Sequence, residues 1–84
     1  MIENLRKRLL YKATHRGMKE TDRIIGQFAE KEINNLSSEL LLQFDRFLDQ
    51  PDADILNWLL YKANIPDEYN NDVFRLILKF KEEI

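Results

Sequence analysis

Apolar residues recur every three or four positions along most of this chain, and breaks in that rhythm divide it into five segments. Ile2, Leu5, Leu9 and Ala13 predict a first helix over residues 2–15. Lys12, His15 and Arg16 crowd its last turn, where cations complement the helix dipole, and Gly17 follows as a C-terminal cap expected to take φ > 0. A second helix is predicted over 19–33, with Glu20 and Asp22 in its first turn and Ile24, Ile25, Phe28, Ala29 and Ile33 facing inward. Ser37 or Ser38 can cap a third, which runs to about Leu48 and buries Leu40, Leu41, Phe44, Phe47 and Leu48. Pro51 interrupts the pattern, and Asp52 or Asp54 is expected to cap a short fourth helix holding Ile55, Leu56, Trp58, Leu59 and Leu60. A last helix starts near Glu68 or Asp72 and carries Val73, Phe74, Ile77, Leu78, Phe80 and Ile84 inward. No segment alternates as a strand does. The expected fold is all-α: one domain over residues 1–84, a bundle of about five short antiparallel helices.

Composition agrees with that architecture. Two Gly and two Pro in 84 residues leave little for a loop-rich or all-β fold. A chain this short buries only about 60% of its unfolded surface, so its core is modest. With no Cys there is no disulfide, thiol nucleophile or cysteine-based metal site, which suits a reducing compartment. No apolar run approaches the roughly 18 residues that cross a bilayer, so no membrane insertion is expected. The opening residues carry Glu3 and no signal-peptide apolar segment, which predicts a cytoplasmic protein in a bacterium. In a eukaryote the mitochondrial matrix is the expected place.

The net charge of −2 conceals an asymmetry: residues 1–33 sum to +3 and residues 34–84 to −5. Arg6, Lys7, Arg8, Lys12, Arg16, Lys19 and Arg23 give the best case for nucleic acid, and a small helical nucleic-acid-binding or general interaction module is the alternative reading. Against it, the basic residues do not gather on one recognition helix, and no nucleic-acid partner is expected. Asp52 and Asp54 lack a third ligand for a metal, His15 stands alone, and no Gly-rich phosphate loop occurs. These residues supply no nucleophile, base and orienting group together, so no enzyme activity and no catalytic residue is expected.

What remains is the corner between the first two helices, Arg16-Gly17-Met18-Lys19-Glu20-Thr21-Asp22. Arg16 and Glu20 are spaced as neighbours on a helical turn, and an exposed pair of that kind contributes only about 0.3–0.5 kcal/mol. Such a corner suits docking better than chemistry.

The Arg-Gly-x-x-Glu run at Arg16, Gly17 and Glu20, followed by Asp22, resembles the motif of the succinate dehydrogenase flavinylation (FAD assembly) factors. The segment Asp52-Ala53-Asp54-Ile55-Leu56-Asn57-Trp58-Leu59 is similar to that family's acidic-aromatic helix. The likeness extends from about Leu5 to Ile77, with two departures: His15, where the family often has arginine or a small polar residue, and Thr21, where leucine is usual. The resemblance implies an assembly factor, or chaperone, that binds the flavoprotein subunit of succinate dehydrogenase, or of fumarate reductase, and promotes covalent attachment of FAD to it. It implies a partner-binding patch of Arg16, Gly17, Met18, Glu20 and Asp22 with His15 at its rim. No cofactor is expected to be held tightly, and the free protein is expected to be a monomer.

Overall fold

The computed structural model describes residues 2–61 and 64–84. Helix α1 spans Ile2–Thr14. Helix α2 covers residues 19–32 and changes pitch along its length: α-helical over Lys19–Thr21, a π turn over Asp22–Gly26, then α-helical over Gln27–Glu32. A 3-10 turn at Ile33–Asn35 closes it. Helices α3 (Ser38–Leu48) and α4 (Asp52–Leu60) follow, then a 3-10 turn at Asp67–Tyr69 and helix α5 (Asp72–Glu83). Among the described residues there is no strand, and no helix is long and apolar enough to cross a membrane.

The two best-defined helix starts follow from side-chain capping. Ser37 Oγ accepts from the Leu40 amide at 3.2 Å, and Asn71 Oδ1 accepts from the Phe74 amide at 3.1 Å. Each satisfies an amide that has no partner inside its own helix. From α3, Gln43 Oε1 accepts from Val73 N at 3.3 Å and ties the start of α5 to the bundle.

The core is a chain of aromatic rings running between helices. Phe28 of α2 meets Phe44 of α3 and Phe80 of α5 edge-on, with centroids 5.5 and 5.8 Å apart. Phe47 of α3 contacts Trp58 of α4 and Phe74 of α5, and Trp58 stacks on Tyr69. Leu9, Ala13, Ile24, Ile25, Leu41, Ile55, Leu59, Val73 and Ile77 fill the space around them with no exposed surface. Two expected core residues are not in it: Ile2 and Ile84 lie at the ends of the chain and are 40% and 47% exposed.

Helix α1 is held down by charge as well as by its apolar stripe. Arg6 donates to the carbonyls of Ile33 and Leu36 at 3.1 and 3.0 Å, which caps the C-terminal end of α2. Lys12 lies 2.8 Å from Asp45 and 2.6 Å from Asp49, and Arg8 adds a second contact to Asp45 at 3.2 Å. Partial burial pulls the Lys12 ammonium down, but Asp45 and Asp49 outweigh it and hold its pKa above the ordinary value. Burial likewise pushes the Asp45 carboxyl up, and Lys12 with Arg8 more than reverses that, leaving it below the ordinary value.

The π turn packs against the end of α1. Three consecutive residues, Ile24, Ile25 and Gly26, are buried there, more than one stripe of a regular α-helix accommodates. A Cβ on Gly26 would lie 3.4 Å from Asp22 Oδ1 and 3.5 Å from the Ala13 carbonyl oxygen, in snug but ordinary contact with the end of α1. One turn earlier, Thr21 is fully buried and its hydroxyl has no hydrogen-bond partner among the described residues.

Two stability outcomes follow. Thr21→Val replaces the unpartnered hydroxyl with a methyl group of the same shape and similar helix propensity; it should stabilise the domain by about 1 kcal/mol, read as a Tm several degrees higher. Asp45 has a folded pKa below its unfolded one, so its contribution is complete above the unfolded pKa and is lost as pH falls through the folded value. Urea midpoints of the native protein and Asp45→Asn should therefore differ most near neutrality and converge below pH 4. A gap that stays constant with pH would contradict the ion pair's contribution.

Candidate functional site

Helix α1 ends when its last turn turns inward on itself. Thr14 Oγ1 donates to the Leu10 carbonyl at 2.8 Å, and His15 Nδ1 donates to the Tyr11 carbonyl at 2.9 Å. Because a carbonyl only accepts, the proton of a neutral His15 ring sits on Nδ1, leaving Nε2 as an acceptor. The same contact lays His15 flat on Tyr11, with ring centroids 3.9 Å apart and planes 18° from parallel. Both residues are exposed.

The following residues belong to neither helix. Arg16, Gly17 and Met18 lie between Thr14 and Lys19, with Met18 extended (φ −111°, ψ 137°) at the N-cap of α2. The expected Arg16–Glu20 pair does not form. Arg16 instead points into the fold with its side chain 12% exposed: Nε lies 2.7 Å from Asp52 Oδ1, and its terminal nitrogens donate to the carbonyls of Leu48 and Gln50. Glu20 remains exposed and faces Arg23 at 3.3 Å.

Asp52 has a different role from the expected one. Pro51 occupies the N-cap position of α4 and makes no side-chain cap; Asp52 is the helix's first residue, and Asp54 is exposed in the first turn. The Asp52 carboxylate turns away from its own helix. Oδ2 accepts from the amides of Gly17 at 3.0 Å and Met18 at 3.2 Å, while Oδ1 takes Arg16. It thus lies at the start of both α4 and α2, and a negative charge is favoured at a helix N-terminus. Removing either partner of so enclosed a pair costs about 3 kcal/mol, since the other charge is left uncompensated. An 84-residue domain has only about 4–13 kcal/mol of stability in all.

Gly17 is also corrected. Its φ is not left-handed, and among the described residues a Cβ placed on it would meet only Asp52 Oδ2 at 3.6 Å, an ordinary contact. Neither backbone conformation nor space within the domain requires glycine here.

Of the six residues singled out in the sequence, the structure gathers His15, Arg16 and Gly17 around one open concavity of about 420 Å³, together with Tyr11, Lys12 and Asp52. Met18 stands beside it, 43% exposed. Asp22 lines a separate concavity with Thr14, Lys19, Arg23 and Gly26. Tyr11 and Asp52 were missed as members of the corner. Tyr11 was legible as the residue four before His15; Asp52, 36 positions from Arg16, carried no local signal. Among the described residues, no group of three or more His, Asp or Glu is placed to hold a metal ion.

Comparison with known proteins places this geometry in context. A profile of the family described as flavinator of succinate dehydrogenase matches residues 7–81. The chain is 45% identical over 76 residues to succinate dehydrogenase assembly factor 2, mitochondrial, of Dictyostelium discoideum, which is 90% of this chain and 54% of that protein. It is 32% identical over 74 residues to FAD assembly factor SdhE of Acetobacter pasteurianus, covering 88% and 68% of the two chains. Against the mitochondrial assembly factor 2 of Debaryomyces hansenii it is 34% identical over 85 residues, 98% of this chain and 58% of the relative. The chain spans about half the length of the curated mitochondrial relatives it matches. With the profile reaching across nearly all of its length, the chain belongs to the family of succinate dehydrogenase flavinators.

Proposed function

We propose that this protein is a non-catalytic assembly factor: its corner at residues 15–20 docks on the flavoprotein subunit of succinate dehydrogenase, with that of fumarate reductase as a second client, and promotes covalent attachment of FAD. The observation that carries the reading is Gly17. The family resemblance puts a motif glycine at a position where this fold has no need of one, so the need falls on a surface approaching from outside. Met18 supplies adaptable apolar contact, Glu20 an exposed carboxylate, and the Tyr11–His15 stack a flat wall beside them. Asp22 sits at the margin. The site of action follows the client: cytoplasm in a bacterium, matrix in a eukaryote.

The bond-forming chemistry belongs to the flavin and its acceptor. The factor's part is to bind the client conformation in which the two are aligned more tightly than the others; a difference of about 1.4 kcal/mol shifts that population tenfold. Aligning reacting groups lowers a barrier without any group of the helper entering the reaction. The nucleic-acid alternative loses support from the placement of the basic residues. Arg6, Arg8, Lys12, Arg16 and Arg23 are all engaged by acceptors within the domain.

Co-expression with a flavoprotein subunit, read as in-gel flavin fluorescence, tests the reading. The native chain should raise the covalently flavinylated fraction. Glu20→Ala and Gly17→Ala should melt within a few degrees of the native protein yet lose most of that increase. A client equally fluorescent without the chain, or both variants working normally, would overturn the proposal. Free FAD titrated into the purified protein should show no stoichiometric uptake; tight one-to-one binding would falsify the view that flavin is held by the client alone.

A further inference from the structure

We propose that Asp52 is the positioning residue of the docking corner, and that Arg16 is its internal counterpart rather than a group offered to the client. This rests on the docking reading above. Three donors from consecutive residues converge on one carboxylate from a distant helix: Arg16 Nε at 2.7 Å, Gly17 N at 3.0 Å and Met18 N at 3.2 Å. All three guanidinium nitrogens of Arg16 are committed, the other two to carbonyls at the end of α3 and the loop that leads to α4. Arginine's planar fork can fasten two chain segments in this way. Three of its five N–H donors are spent there, and with its side chain 12% exposed little of it faces a client.

The amides of Gly17 and Met18 fall outside both helices, so no helical ladder fixes them. Asp52 does so instead, and its side chain does not cap its own helix. The corner is thereby ordered in the folded protein before any client arrives. Pre-ordering a contact surface removes an entropic cost from the binding step. The groups that meet the client are then Gly17, Met18, Glu20 and the Tyr11–His15 stack, carried on a base of Arg16 and Asp52.

The test uses the full chain with Asp52→Asn, which keeps the side chain's shape and removes its charge. Ile77→Val, a core substitution far from the corner, serves as a control for lost stability alone. Amide hydrogen exchange and Kd for a purified flavoprotein subunit are measured under conditions where every variant remains folded. Asp52→Asn should speed exchange at Gly17 and Met18 at least tenfold beyond any change at core amides and weaken client binding at least tenfold, while saturating factor restores flavinylation to the native level. Ile77→Val should bind as the native protein does. Should Asp52→Asn fail to fold, Asp52→Glu, which keeps the charge but moves it by one methylene, takes its place. Native-like Kd in the Asp52 variant, unchanged exchange at the corner, or an equal loss of affinity in Ile77→Val overturns the proposal. If the native chain itself does not bind the flavoprotein, the docking reading fails instead, and the exchange data alone decide whether Asp52 orders the corner.

Discussion

One carboxylate holds the bend between the first two helices to the rest of the fold. Asp52 opens the fourth helix, yet its oxygens are given to the bend between the first two, where they hold a guanidinium and two backbone amides. Because Arg16 simultaneously grips the end of the third helix through Leu48 and Gln50, four elements meet at one point. Shape there is set by charge-assisted hydrogen bonds rather than by apolar packing, and such bonds are short and directional. A bend made of a glycine and an extended methionine would otherwise have little to define it.

The first helix repeats the device at its other end. Arg6 reaches the carbonyls that close the second helix, and Arg8 with Lys12 anchors the acidic face of the third. Three cations of the opening segment, Arg6, Arg8 and Lys12, are thus spent on holding that helix in place, and Arg16 on the bend that follows it. With Arg23 facing Glu20, five of the eight cations in the segment of net charge +3 are matched to acceptors of their own fold, which weakens its case as a phosphate-binding surface. What stays exposed around the bend is an aromatic stack, a methionine, a lysine and a carboxylate, a mixed set rather than a basic one.

Much of this was legible in the sequence, and the failures share a cause. Apolar spacing located all five helices and the bend itself, and of the two serines expected to cap the third helix it is Ser37 that does so. The π turn escaped because a periodic pattern reports an average pitch and cannot register one inserted residue. The Arg16–Glu20 pairing rested on helical spacing, but Arg16 lies beyond the end of α1 and before the start of α2, so the rule had no helix to act on. Asp52 was assigned to its own helix because local reasoning sees only neighbours in sequence; its real partners are 34 to 36 residues away. Local rules found the elements and missed what one element does to another.

That separation along the chain has a consequence for synthesis. The bend is translated before the aspartate that shapes it, which lies 34 to 36 residues further along the chain. Until the start of the fourth helix appears, Arg16 has no counter-charge and the amides of Gly17 and Met18 have only water. The ordered form of the bend is therefore acquired together with the closure of the domain and not piecemeal. A truncated or half-made copy lacks the polar clasp that holds Arg16, Gly17 and Met18 in place.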